Sequence, residues 1–253
     1  MAGPHSRSLL VMALISLAML GGAAWIVDRY VPPQDHPFKP LSLLDPPGLA
    51  TGMKLRALHD DPALCRRLLR EAGVLYADLH TPVDASLARA EEADPPQPGT
   101  EGAAASANPC SLAGALTLQR SLTPYSDTLS MTCPLAAALH VWERHVVLPA
   151  AKDLLGAELS RIDTFGAFAC RKVRGGRSGQ WSQHARANAV DVSGFRFKDG
   201  RRVSLLDDYG AETEAGAFLA RVRAGGCKVF AATLGPDYNR AHRDHFHFEM
   251  GSW

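Results

Sequence analysis

The chain has 253 residues, 46% of them hydrophobic and 21% charged, which is the make-up of an ordinary globular protein that folds around a core. Its 27 Lys and Arg balance 26 Asp and Glu, so bulk charge excludes any general case for a nucleic-acid partner or for an anionic membrane face. Function has to be read from a site.

Leu9 to Val27, LLVMALISLAMLGGAAWIV, contains no charged residue and is bounded by Arg7 and by Asp28-Arg29. Its length suits a helix crossing a hydrocarbon core, and Trp25 and Tyr30 stand where an interfacial belt belongs. A cleaved secretory signal is the alternative, with GGAA offering small residues for cleavage, but signal cores are usually shorter, which favours an uncleaved anchor. Either way the body is exported from the cytoplasm. Residues 1–30 are thus expected to be tail and anchor, 31–51 a proline-rich linker, and 52–253 the folded domain. In VPPQDHPFKPLSLLDPP, Val31 to Pro47, the prolines favour an extended spacer reaching about 50 Å.

Within the body, Asp60-Asp61-Pro62 caps a short helix carrying Leu64, Leu68 and Leu69, which Gly73 ends before the strand-like VLYADL. Ala85 to Pro109 is rich in Ala, Glu and Pro with almost no large apolar side chains, the composition of a disordered insertion. SLAGALTLQRSL alternates as a strand does. Thr132 then caps a helix with Leu135, Leu139, Trp142 and Val146 at helical spacing, stopped by Pro149. From Ile162 strands prevail, with a hairpin pairing Ala189 to Phe197 and Arg201 to Leu206 across Lys198-Asp199-Gly200. A helix at Glu214 to Ala224 and strands at Lys228 to Leu234 and Asp244 to Met250 complete an α+β reading: a small antiparallel sheet carrying the site, with helices packed on one side.

None of the five cysteines forms a C-x-x-C pair, which argues against a cysteine zinc site, and in an oxidising compartment structural disulfides follow. Sequence does not fix the connectivity. The pairing we expect is Cys110 with Cys133 and Cys170 with Cys227, leaving Cys65 unassigned.

The chemistry concentrates in two segments. In Ser182-Gln-His184-Ala-Arg-Ala-Asn-Ala-Val-Asp191, a short connection aims His184 and Asp191 into one pocket. Alternation in the strand sends Asp191, Ser193 and Phe195 to one face, and Val190, Val192 and Gly194 to the other. In His242-Arg-Asp-His245-Phe-His247-Phe-Glu249, the i, i+2 spacing puts His245, His247 and Glu249 on one face. Two neutral imidazoles and a carboxylate suit Zn2+, and three protein ligands leave a position for the water of a catalytic zinc. His245, beside the ligand His247, is the first candidate to take that water's proton; Asp244 is the second. A histidine cluster without metal is the bland alternative.

SQHARANAVD resembles the S-x-H-x-x-G-x-A-x-D signature of the LAS group of zinc peptidases, which includes lysostaphin-type endopeptidases, D-Ala-D-Ala metallopeptidases and the hedgehog amino-terminal domain. More closely, Cys133 to Met250 is similar to the bacterial extensin-like carboxy-terminal domain, through TCPLAAAL, SQHARANAVDVSGF, DGRRVSLL and LGPDYNRAHRDHFHFEM. The resemblance implies His184, Asp191 and His247 as zinc ligands and His245 as the non-ligand histidine assisting the water. It further implies His242 as an outer residue lining the site, as in penicillin-insensitive murein endopeptidases, and Asp244 where some dipeptidases place a catalytic Glu. Ala187 departs from the signature's Gly, which opens the way to a different backbone path. Arg186 is either a substrate carboxylate clamp or solvent-facing, and Ser182 either orients a ligand or forms a turn. The implied function is a zinc metallopeptidase of the bacterial inner membrane, its body in the periplasm, acting on peptidoglycan. The rival is a zinc-stabilised binding module that cleaves nothing, since fold alone does not imply activity.

Overall fold

The computed structural model describes residues 4–79, 110, 112, 114–173 and 179–251; the insertion expected at 85–109 lies outside them. Helix α1 (Pro4–Tyr30) contains a segment, Met12–Tyr30, long and apolar enough for a membrane span or a signal sequence. Its side chains at Leu14, Leu17, Leu20 and Ile26 are exposed, so the body does not cover them.

The proline-rich segment is not an extended spacer. Its chain turns through Pro32 to His36, the Lys54 ammonium donates to the Pro33 carbonyl at 2.6 Å, and Leu43 is buried in the main core. The prolines set local φ, but burying Leu43 decides the path.

Helix α2 (Thr51–Ala57) precedes α3 (Pro62–Glu71), whose Asp61 carboxylate accepts from the Leu64 amide at 2.9 Å. A three-stranded antiparallel sheet follows, β1 (Leu75–Asp78), β2 (Leu116–Arg120) and β3 (Leu129–Met131), in that spatial order. Helix α4 (Cys133–Trp142) runs through a π-turn at Glu143–Val147 into α5 (Leu148–Leu155). Pro149 therefore does not stop the helix: it falls in the first turn of α5, where a missing N–H is tolerated, and Gly156 at φ 58° ends it.

Next come β4 (Leu159–Gly166), β5 (Ala189–Phe197), β6 (Arg202–Ser204), the short α6 (Leu205–Asp208), α7 (Glu214–Val229), β7 (Ala232–Leu234) and β8 (Phe246–Glu249). Helix α7 is longer than its apolar pattern suggested and takes up Lys228 and Val229, so β7 begins only at Ala232. The second sheet has the order β4-β5-β8-β7, with β6 also pairing β5. All of these pairings are antiparallel. Strand β5 is long enough to take β8 beside Ala189 to Val192 and β6 beside Gly194 to Arg196.

One face of this sheet is the core. Trp142 of α4 meets Phe195 and Phe248 at ring separations of 6.1 and 4.9 Å, and Phe218 of α7 lies 5.0 Å from Phe195. Phe195 is thus on the core face with Val190 and Val192, not on the Asp191 face that strict alternation gave it. The register explains why: Thr164 pairs with Val192 but Asp163 with Gly194, so Ser193 is an extra, bulged residue that reverses the alternation.

The disulfides also differ from expectation. Cys65 bonds Cys133 and Cys110 bonds Cys170, while Cys227 is a free, exposed cysteine on α7. The first bond joins α3 to the start of α4, a juxtaposition no local pattern in the sequence encodes.

Candidate metal centre

The face of the second sheet opposite the core carries the histidines. Asp191 on β5 pairs directly with His247 on β8, which places a carboxylate and an imidazole side by side across two strands. His184 arrives from the preceding 3₁₀ turn, Gln183–Arg186, whose cap is the Ser182 hydroxyl accepting from the His184 amide at 3.2 Å. Ser182 therefore forms the turn.

Ala187 closes that turn at φ 53°, the one non-glycine with positive φ among the described residues. The surrounding structure holds an alanine in this left-handed conformation, at a cost of about 1–2 kcal/mol. Two contacts supply that support: the Ala187 carbonyl accepts from the Thr132 amide at 2.8 Å, and the Thr132 hydroxyl donates to Asn188 Oδ1 at 2.7 Å. The loop is thereby fixed to the head of α4. That is also why Thr132, at the expected cap position, makes no side-chain cap bond.

Donor atoms of His184, Asp191 and His247, all three residues buried, lie within 4.8 Å of one another and could hold a metal ion. His184 Nε2 is 3.1 Å from His247 Nδ1 and 3.2 Å from Asp191 Oδ2, and His247 Nδ1 is 2.9 Å from Asp191 Oδ1. Donors around a tetrahedral zinc stand about 3.3 Å apart, given zinc–nitrogen and zinc–oxygen distances near 2.0–2.1 Å.

The outward nitrogens make the stronger case. His184 Nδ1 lies 2.9 Å from the Ala167 carbonyl and His247 Nε2 lies 2.9 Å from Glu249 Oε2. The Ala167 carbonyl can only accept, so a neutral His184 ring carries its proton on Nδ1 and turns Nε2 inward as a lone pair; His247 has a carboxylate on each nitrogen, and with its proton on the Glu249 side its Nδ1 also faces inward as a lone pair. In that arrangement three acceptors converge, which is unfavourable unless a cation sits among them. Fixing each ligand ring through its far nitrogen is how metal-binding histidines are oriented. Glu249 was not singled out as a site residue from the sequence, although its i, i+2 relation to His247 was visible there.

Without metal, a proton can take the cation's place. Burial disfavours a charged imidazole at His247, but Asp191 and Glu249 on its two nitrogens raise it to about 9. Burial opposes the Asp191 carboxylate too, yet the adjoining imidazoles of His184 and His247 hold it well below the usual carboxylate range.

Around this triad, His245 precedes β8 with Nε2 3.7 Å from Asp191 Oδ1, while its Nδ1 is 2.9 Å from Asp244 Oδ1. Asp244 thus sits behind His245, away from the triad donors, and can orient it. His242 lines the mouth, its ring tilted against His245 at 5.2 Å and edge-on to His247 at 5.8 Å, with Nδ1 2.9 Å from Asn239 Oδ1. Burial and the neighbouring imidazoles of His245 and His247 lower its pKa. Exposed Phe165 lies edge-on to His245 at 5.7 Å. Arg186 is exposed and makes no ion pair among the described residues.

A family model described as extensin-like protein C-terminus matches residues 88–253, which include every residue of this cluster. Neither a curated protein nor a solved structure matches the chain.

Proposed function

Because the chain belongs to the extensin-like protein C-terminus family, with its buried triad in the matched region, we propose that it is a zinc-dependent peptidase of bacterial peptidoglycan, tethered to the inner membrane by α1 with its body in the periplasm. The observation that carries this reading is the convergence of His184 Nε2, His247 Nδ1 and the Asp191 carboxylate within 4.8 Å, with the far nitrogen of each ring held at 2.9 Å by an oxygen.

His184 Nε2, Asp191 and His247 Nδ1 would hold the zinc, with Ala167 and Glu249 keeping the rings aimed. Zinc bound there supplies Lewis acidity for a scissile carbonyl and lowers the pKa of water. The chain's own residues do the rest. His245 presents Nε2 at the edge of the triad and accepts a proton there, then delivers it to the leaving amine. Asp244 accepts from His245 Nδ1–H, which keeps Nε2 free to act as base and stabilises the imidazolium once formed. Phe165 and His242 flank the approach to that edge.

Purified full-length chain should release peptides from isolated sacculi, followed by chromatography and mass spectrometry. His245→Ala should lower turnover by about 100-fold or more with zinc still bound. Wild-type protein that binds zinc yet leaves sacculi intact would favour a non-catalytic wall-binding module.

A further inference from the structure

The same open sheet face carries a second cross-strand row. Arg161 on β4 pairs with Arg196 on β5, and Arg196 pairs with Arg202 on β6, so three guanidinium groups lie abreast. All three converge on one carboxylate. Asp163 takes Arg161 Nε at 2.8 Å and Arg196 Nε at 2.9 Å, with Arg202 Nε at 3.9 Å. Asp163 is buried beneath them, whereas each arginine is roughly half exposed.

Three positive charges against one negative leave a surplus of two. Like charges directly opposite one another across strands are destabilising, so folding alone gives no reason for the row. Only Nε atoms engage Asp163; among the described residues the terminal nitrogens of the three forks make no hydrogen bond. Those free edges have the planar, two-pronged geometry that matches an oxyacid group.

The row runs parallel to the metal row. Gly166 on β4, Asp191 on β5 and His247 on β8 form one line across the sheet; Arg161, Arg196 and Arg202 form the other, five positions along both β4 and β5. Strand rise puts the two lines about 15 Å apart, a span that an extended peptide covers in about four to five residues. Phe165, exposed on β4 between them, gives the intervening surface an apolar stretch.

The geometry points to an anion-recognition subsite at Arg161, Arg196 and Arg202 that engages a free carboxylate of the same peptide whose amide lies at the triad. This rests on the peptidase reading for the substrate's class, but the subsite is testable without cleavage. Peptidoglycan stem peptides carry several free carboxylates; phosphodiester wall polymers would present the same oxyanion chemistry from another source.

The test is co-sedimentation of the full-length chain in detergent with three kinds of sacculi at low ionic strength: untreated, carboxyl-amidated, and stripped of phosphate polymers with hydrofluoric acid. Wild type should bind untreated and stripped sacculi alike, and amidated sacculi about tenfold more weakly, the size expected for losing charge-assisted hydrogen bonds. Arg161→Gln with Arg202→Gln, which leaves the Arg196–Asp163 pair intact, should bind untreated sacculi about tenfold more weakly and ignore amidation. Arg221→Gln, paired with Asp153 elsewhere, should behave as wild type. If the double variant is thermally destabilised, Arg202→Gln alone, with the longest contact to Asp163, gives the same readout. Wild-type binding by the double variant, or binding lost only on phosphate removal, overturns the proposal. Sacculi held through the arginines yet left uncut contradict the peptidase and leave the subsite standing.

Discussion

His184 Nε2 and His247 Nδ1 face each other at 3.1 Å, and the far nitrogen of each ring lies 2.9 Å from an oxygen, the Ala167 carbonyl for His184 and Glu249 Oε2 for His247. The outward partner of His247 is Glu249, so Glu249 governs the inward lone pair. Glu249→Ala should weaken zinc affinity about ten- to hundredfold, measured by chelator competition on folded protein. Unchanged affinity would show that the carboxylate does not set the ring.

A second prediction concerns pH. Glu143 lies in the π-turn between α4 and α5, buried, with its carboxylate accepting from Tyr125 Oη at 2.5 Å and from the Thr123 amide at 2.9 Å. Burial outweighs these bonds and pushes its carboxyl up to about 7. The native state then keeps a proton that the unfolded chain, near 4.5, has lost, so this contribution is full below about pH 4.5 and is lost as pH rises through about 7. Stability of wild type relative to Glu143→Gln should fall by about 3 kcal/mol across that window in chemical denaturation. His140, one helical turn away and lowered to about 4 by burial, has the opposite slope but is present in both proteins and cancels in the difference. A flat difference would mean that Glu143 is ionised throughout.

The disulfide pattern gives a third. Alkylation of the native, unreduced chain should label one thiol, at Cys227, and Cys227→Ser should leave stability unchanged. Replacing Cys65 and Cys133 together by Ser should cost about 4 kcal/mol, the loop-entropy value for a separation of 68 residues. Labelling at Cys65 would contradict the pairing.

Ala187 supplies a fourth. A β-branched side chain is still less suited to φ 53°, and the site is fully buried. Ala187→Val should lose about 2 kcal/mol or more, whereas Ala187→Gly should keep the zinc affinity of wild type. Equal stability of the valine variant would mean that the turn can relax.

Most of the site was legible because it rests on short-range patterns. His184 and Asp191 sit within one turn-and-strand unit, and i, i+2 spacing placed Glu249 with His247. What sequence did not yield depends on pairing between distant strands or on packing. The bulge at Ser193 reversed the face of Phe195, and only the register between β4 and β5 reveals it. The same register brings Arg161, Arg196 and Arg202 abreast from three separate segments. Pairing of Cys65 with Cys133 requires knowing that α3 packs on α4, and Leu43 joins the core through contacts that a run of prolines concealed.

If His184, Asp191 and His247 form one metal centre, zinc content of the purified full-length chain reports it most directly. Wild type and His242→Ala should each carry one zinc per chain, and Asp191→Ala with His247→Ala should carry none while retaining both disulfides. Folded wild type that takes up no zinc after dialysis against it would contradict the metal centre and the peptidase built on it.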